Sequence, residues 1–231
     1  MRSSSPFNVL ENERALSVLR RLHKAADRQL FSLLSHYLPK VPRLLLGRPM
    51  AFSDDDIKGY YADKFIALDP QQAAFCYLTA RGMGARCVVE FGTSLGVSTI
   101  WLAAAVRANG GGRVITAELV PEKAKRARAH LEEAGLADLV DIRIGDARET
   151  LADLPGTVDL FLNDGFPMLA LDVLRLVAPH MRAGAITLTD NVGTFKGNYK
   201  KYLKYVRDQK NGFVSTILPY KSGTAYSLKT G

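Results

Sequence analysis

Glu90-Phe91-Gly92-Thr93-Ser94-Leu95-Gly96-Val97-Ser98 is the stretch that decides how this chain is read. An apolar run, residues 86–91 (RCVVEF), leads into it, and apolar residues at helical spacing over 97–106 lead out, so it reads as a strand-to-helix turn. Gly92 and Gly96 bracket the turn, where a missing side chain lets a ligand approach the backbone. The spacing is GxxxG rather than GxGxxG, and no Lys-Ser/Thr pair follows as in a P-loop, which sets aside pyrophosphate and nucleoside triphosphates. An acid two positions before the first glycine suits a cationic ligand instead.

Outward from this turn, strand and helix alternate. Further strands are expected over 113–118, 140–144, 158–162 and 185–189. The helices between them are expected over 122–134, where Pro121 suits the first turn and Gly135 the stop, and over 147–154 and 169–180. A helix over 197–209 precedes a hairpin, 213–219 and 224–229 around Lys221-Ser222-Gly223. Such alternation calls for a mostly parallel, doubly wound α/β sheet with helices on both faces and an antiparallel edge. Residues 1–64 differ. Apolar residues Leu16, Leu19, Leu22, Leu30, Leu33 and Leu34 recur at helical spacing, prolines at 39, 42 and 49 break the chain, and Asp54 to Asp56 read as a short helix start. The expected division is a helical appendage over 1–64, a lid or a dimer contact, and a main domain over 65–231.

At 231 residues the chain can bury a core without a disulfide, and Cys76 and Cys87, in apolar segments with no CxxC, read as small buried thiols. No apolar run approaches the ~18 residues of a membrane span. With no apolar h-region behind Ser5-Pro6, the chain is expected to be cytoplasmic. Of its net charge of +8, +7 falls within residues 196–231. Lys196, Lys200, Lys201, Lys204 and Arg207 lie at helical spacing opposite Tyr199, Leu203 and Val206, a solvated helix face rather than a nucleic-acid footprint. An RNA-associated enzyme or binder is the rival reading.

In an open α/β sheet the ligand lies beyond the carboxyl ends of the strands. That rule selects residues 90–98, 118–121, 145–148, 163–167 and 190–197. It leaves out His130, in mid-helix, and His180, at the opposite sheet edge, while His23 and His36 belong to the appendage; a histidine base is not expected. Glu118 ends the second strand 26 residues after Gly92, where a carboxylate can accept both hydroxyls of a ribose. Gly145-Asp146-Ala147 ends the third, where an Asp can meet an adenine amino group. Three acids ending three successive strands outline a positively charged nucleoside.

These residues resemble the class I S-adenosylmethionine-dependent methyltransferases. The run VVEFGTSLGVSTIWLAAAV, through VDLFLNDGF to TLTDNV, is similar to the small-molecule O-methyltransferases related to catechol and caffeoyl-CoA methyltransferases. The resemblance covers residues 65–231 and implies a Rossmann-like seven-stranded sheet that binds the methyl donor. It places Glu90 near the amino and methionine part, with the backbone at Gly92 and Thr93 and the Ser98 side chain assisting. It gives Glu118 the ribose and Asp146 with Ala147 the adenine. In the family's metal-dependent branch, an Asp after strand four and an Asp-Asn pair after strand five hold a divalent cation such as Mg²⁺. Asp190-Asn191 match, with Asp164, or Asn163 in the alternative register, as the third ligand. Asp164 also borders the donor.

One departure is plain: the family's D-x-x-K lysine base is Pro167 here. Proton removal then falls to the metal, to Asp164, to a lysine such as Lys196, or to an appendage residue; a metal-free site acting by positioning stays open. The activity expected is methyl transfer to a hydroxyl of a small organic acceptor. N- or C-methylation, or donor binding without turnover, are the alternatives. Tyr60, Tyr61, Phe166 and Phe195 are candidates for the acceptor wall, and the resemblance implies a homodimer.

Overall fold

A computed structural model describes residues 5–53 and 56–231. The expected helix start at Asp54 falls partly on Asp54 and Asp55, which lie outside the described residues, as do the side chains of Leu30 and Leu33. Asp56–Tyr60 forms a single wide turn.

The sheet has seven strands: β1 (Cys87–Phe91), β2 (Arg113–Glu118), β3 (Val140–Ile144), β4 (Val158–Asn163), β5 (Met181–Thr189), β6 (Phe213–Leu218) and β7 (Thr224–Lys229). Their order is β3-β2-β1-β4-β5-β7-β6. The first five run parallel, and the hairpin returns so that β7 lies antiparallel to β5 with β6 outside it. Strand order reverses between β1 and β4, which places a crevice above their carboxyl ends.

The helices are α1 (Glu13–Tyr37), α2 (Val41–Leu45), α3 (Pro70–Gly82), α4 (Val97–Ala108), α5 (Pro121–Glu133), α6 (Ala147–Thr150), α7 (Ala170–Val177) and α8 (Lys196–Arg207). The expected helix over 147–154 closes after one turn, and the one over 169–180 passes into a 3-10 turn at Ala178–His180. β5 begins at Met181, earlier than the residue 185 that apolar content suggests, because Arg182, Ala183 and Gly184 continue the strand on its exposed stretch. α2 and α3 are helices that sequence reading did not delimit: Pro42, read as a break, sits in the first turn of α2, while Asp69 caps α3 by accepting the Gln71 N–H at 2.9 Å and Pro70 takes its first position.

Alternate residues of the central strands feed two cores. Val88, Leu160, Leu162 and Val114 face one with Trp101 of α4 and Leu16, Leu19 and Leu22 of α1. Val89, Phe91, Ile115 and Phe161 face the other with α7, Tyr199, Tyr202 and Val206 of α8, and Met50. α4 carries ten consecutive buried residues, Val97 to Val106, so its start is held firmly behind the crevice. The first half of α1 therefore shares a core with the sheet, whereas Leu34, Leu38 and Leu45 farther on are exposed. Burial of Tyr199, Tyr202 and Val206 leaves Lys196, Lys200, Lys201, Lys204 and Arg207 on the solvent side of α8, as their spacing predicts. Cys76 is buried and Cys87 half-buried, both as free thiols. Among the described residues, no helix is long and apolar enough to cross a membrane.

Candidate active site

A cavity enclosing about 870 Å³, mouth included, lies over the reversal point. Its floor comes from the strand ends: Phe91, Gly92 and Ser94 after β1, Ala117 to Val120 after β2, Asp164 to Pro167 after β4, and Asn191 after β5. Its roof is aromatic. Tyr37 and Phe52 arrive from the N-terminal segment, Tyr61 and Ile66 from the next stretch, and Phe195 from the entry to α8.

Gly92 has φ +103°, and a Cβ there would stand 2.8 Å from the Asp164 carbonyl oxygen, so only glycine lets the β1 and β4 loops close on one another. Ser94, at φ +49°, donates its backbone N–H to Glu118 Oε2 at 2.7 Å. Val120 N–H donates to the other carboxylate oxygen at 2.9 Å. Glu118 is thereby fixed at the cavity floor, and burial raises its pKa above the usual carboxylate value despite those bonds.

Glu90 lies beneath the turn rather than in the cavity lining. It is fully buried, and its Oε2 accepts from Thr99 Oγ1 at 2.5 Å and Thr116 Oγ1 at 2.7 Å. Among the described residues its Oε1 and the buried Ser94 Oγ have no hydrogen-bond partner within ordinary geometry. Desolvation raises the Glu90 pKa, opposed by the polar Ser98, Thr99 and Thr116 hydroxyls around it. Thr93 and Ser98 also lie buried behind the turn, with Thr93 Oγ1 2.6 Å from Thr116 Oγ1. Asp146 caps α6 through the Arg148 N–H at 2.8 Å and pairs with the Arg148 side chain, which holds its pKa low; neither it nor Ala147 lines the cavity.

Asp164 lines the cavity with no hydrogen bond to its carboxylate among the described residues. Burial pushes its pKa well up, and its charged neighbours, Asp190 and Glu90, push it further. Asp190 sits behind Asn191. Its Oδ1 accepts from Ser222 Oγ at 2.6 Å and its Oδ2 from Asn191 Nδ2 at 2.9 Å, and burial raises its pKa too. Among the described residues no cluster of three or more His, Cys, Asp and Glu side chains could hold a metal; the set here is two carboxylates and an amide. Two like-charged carboxylates, Asp190 buried and Asp164 half-buried, with the Asn191 amide oxygen beside them suit a hard cation by chemistry. Asn163 turns away, its Nδ2 bonded to the Ala170 carbonyl, so Asp164 rather than Asn163 faces the cavity.

Pro167 lines the cavity where the lysine of D-x-x-K would stand, and Lys196 is exposed at the start of α8 outside the lining. Of the aromatic candidates, Tyr61, Phe166 and Phe195 form the wall, while Tyr60 stacks on His36 with ring centroids 3.8 Å apart. Sequence reading missed Ser94, Lys123, Tyr37 and Phe52. Ser94 lies inside the turn already singled out, where its position between the two glycines was the available signal. The other three come from helix and loop positions that strand-end rules do not reach.

Residues 89–192 match the family described as a methyltransferase domain. A catechol O-methyltransferase from Mycobacterium tuberculosis is 40% identical over 128 residues, which cover 55% of this chain and 57% of that protein. The matched stretch thus spans little more than half the length of the curated relatives. The crystal structure of cofactor-bound Rv0187 from MTB superposes with a TM-score of 0.67 at 30% identity, covering 74% of this chain and 86% of that one. An O-methyltransferase from Bacillus cereus in complex with SAH has a TM-score of 0.67 over 93% of this chain and 91% of its own, and at 22% identity it shows the fold alone.

Proposed function

We propose that this chain, which belongs to the class I S-adenosylmethionine-dependent methyltransferases of the catechol and caffeoyl-CoA O-methyltransferase kind, methylates a hydroxyl of a small organic acceptor with a flat, apolar body. The observation that carries this is a single cavity with two unlike ends, a glycine turn with the fixed Glu118 carboxylate at one and five aromatic rings at the other. The donor fits the first end. Glu118 presents oxygens to ribose hydroxyls, and the backbone of Gly92 lines the cavity beside it with no side chain between. Burial and neighbouring acids raise the pKa values of Glu90, Asp164 and Asp190, and a cation bound nearby would offset that cost of ionising them. When bound, S-adenosylmethionine supplies an electrophilic methyl group on a sulfonium.

Tyr37, Phe52, Tyr61, Phe166 and Phe195 hold an acceptor ring and exclude water from it. Tyr61 donates its hydroxyl to Tyr37 Oη at 2.7 Å, and burial raises both pKa values, so the pair stays neutral and orients rather than ionises. With Pro167 in the lysine position, the acceptor proton passes to the Asp164 carboxylate, the uncommitted base that lines the cavity. Its raised pKa makes it a stronger base than an ordinary aspartate. Asp164, Asp190 and Asn191 would alternatively be the residues to hold a divalent cation, which would supply positive charge that acidifies the acceptor hydroxyl in place of the Asp164 base.

The test is incubation of the purified chain with S-adenosylmethionine and a panel of catechols and phenols, with products identified by mass spectrometry, in the presence and absence of a chelator. O-methylated product is expected. N- or C-methylated product alone, or donor binding with no turnover of any acceptor, would displace the proposal.

A further inference from the structure

Lys123 is the cation lining the cavity, and its placement runs against the stability of the ligand-free chain. Its side chain is 5% exposed, and among the described residues its ammonium makes neither a hydrogen bond nor an ion pair. The two acids whose charge it feels, Glu118 and Asp63, are engaged elsewhere. Glu118 accepts the Ser94 and Val120 N–H groups at 2.7 and 2.9 Å, and Asp63 pairs with Lys64 at 2.9 Å. Lys123 also stands in the first turn of α5, where the helix dipole disfavours positive charge. Desolvation lowers its pKa accordingly. A cation buried without a partner costs free energy that a well-packed apolar side chain would not. Its surroundings are those of the Glu118 end of the cavity.

We infer that Lys123 donates a hydrogen bond to a hydroxyl oxygen of the donor's ribose, so that the diol is held between an acceptor, Glu118, and a cationic donor, Lys123. This rests on the donor-site reading above. Glu118 can only accept from the diol, and a second group able only to donate completes the pairing of each hydroxyl. Neither residue type alone would do this.

The experiment is calorimetric titration of the full chain with S-adenosylhomocysteine and its 2′-deoxy and 3′-deoxy analogues, for wild type, Lys123→Met and Lys123→Arg. Lys123→Met is expected to weaken S-adenosylhomocysteine about tenfold, the loss of a charged hydrogen bond. Against the analogue that lacks the contacted oxygen the same substitution should cost less than about twofold, because the bond it removes is already gone. Lys123→Arg, which keeps a charged donor, should recover most of the affinity. Thermal unfolding of ligand-free Lys123→Met should occur no lower than in wild type, since the substitution removes an uncompensated buried charge. Unchanged affinity, equal losses on all three ligands, or a ligand-free variant that unfolds earlier would each overturn the inference. Failure of the wild type to bind S-adenosylhomocysteine would sink the donor-site reading itself.

Discussion

Removing one amide from α8 should open the acceptor end of the site and leave the donor end untouched. Asn198 holds the strap that carries Phe52. Met50 N–H donates to Asn198 Oδ1 at 2.8 Å, and Asn198 Nδ2 donates to the Met50 carbonyl at 2.9 Å. The preceding Gly197 makes this approach feasible, because a Cβ there would stand 2.4 Å from the Pro49 nitrogen. Met50 is buried in consequence, and two residues on, Phe52 packs against Phe166 and Phe195 with ring centroids 5.7 Å from each. Asn198→Ala deletes both bonds. At about 0.5–1.5 kcal/mol each, the strap loses about 1–3 kcal/mol of hold. If acceptor binding requires the closed strap, that range corresponds to an increase in acceptor KM of up to about 5- to 150-fold. Steady-state kinetics with varied acceptor at saturating S-adenosylmethionine measures it, and calorimetry with S-adenosylhomocysteine should show donor affinity within about twofold of wild type. Asn198→Asp, which keeps an acceptor for the Met50 N–H but repels the carbonyl, should fall between. An unchanged acceptor KM in a variant of reduced thermal stability would refute the role of the strap, as would a parallel loss of donor affinity.

Glu118→Ala removes the ribose acceptor and the anchor of two backbone N–H groups, so donor affinity should drop about tenfold or more by calorimetry. Gly92→Ala forces a side chain onto a backbone at φ +103° and against the Asp164 carbonyl; it should cost about 1–3 kcal/mol in thermal unfolding and abolish measurable donor binding. Glu90 gives a pH signature. Its folded pKa is raised, so its contribution to stability is complete below the ordinary carboxylate range and is lost as pH climbs through the raised value. Ligand-free wild type should therefore lose stability relative to Glu90→Gln as pH rises above the ordinary carboxylate range, and parallel stability curves for the two would contradict the assignment.

Periodicity exposed the sheet because each central strand is an apolar run closed by a turn residue, and the hairpin because Lys221-Ser222-Gly223 interrupts two alternating segments. The strand-end rule likewise found Gly92, Glu118, Asp164 and Asn191, which do line the cavity. It could not separate them from Glu90, Thr93 and Ser98, because the same few residues of a turn point both up into the crevice and down into the protein. Helix ends were harder to place. Ala147–Thr150 stops after one turn although leucines at 151 and 154 continue the apolar pattern, since both are consumed by the core beneath. The acceptor wall was half legible. Phe166 and Phe195 follow strands β4 and β5 directly, whereas Phe52 reaches the site only through the Asn198 pairing, a contact between residues 148 positions apart. No local signal announces such a pair.

The charges of the cavity bear on which acceptors are used. Asp164 lines the wall beside the acceptor rings, and Asp190 and Glu90 lie behind it. A carboxylate on the acceptor about 5 Å from an ionised Asp164 meets a repulsion of about 3 kcal/mol at an effective dielectric of about 20. Lys123 does not offset this, because it faces the Glu118 end. A divalent cation held by Asp164, Asp190 and Asn191 would cancel that field, its two charges set against the two carboxylates. Chelator-treated protein should therefore use a neutral catechol in preference to the same catechol bearing a carboxylate, by about tenfold or more in kcat/KM. Added Mg²⁺ should narrow the ratio if those three side chains bind it, and leave it unchanged if they do not. A preference for the carboxylated acceptor in the presence of chelator would show that some other group governs acceptor charge, and that Asp164 does not stand ionised where the acceptor binds.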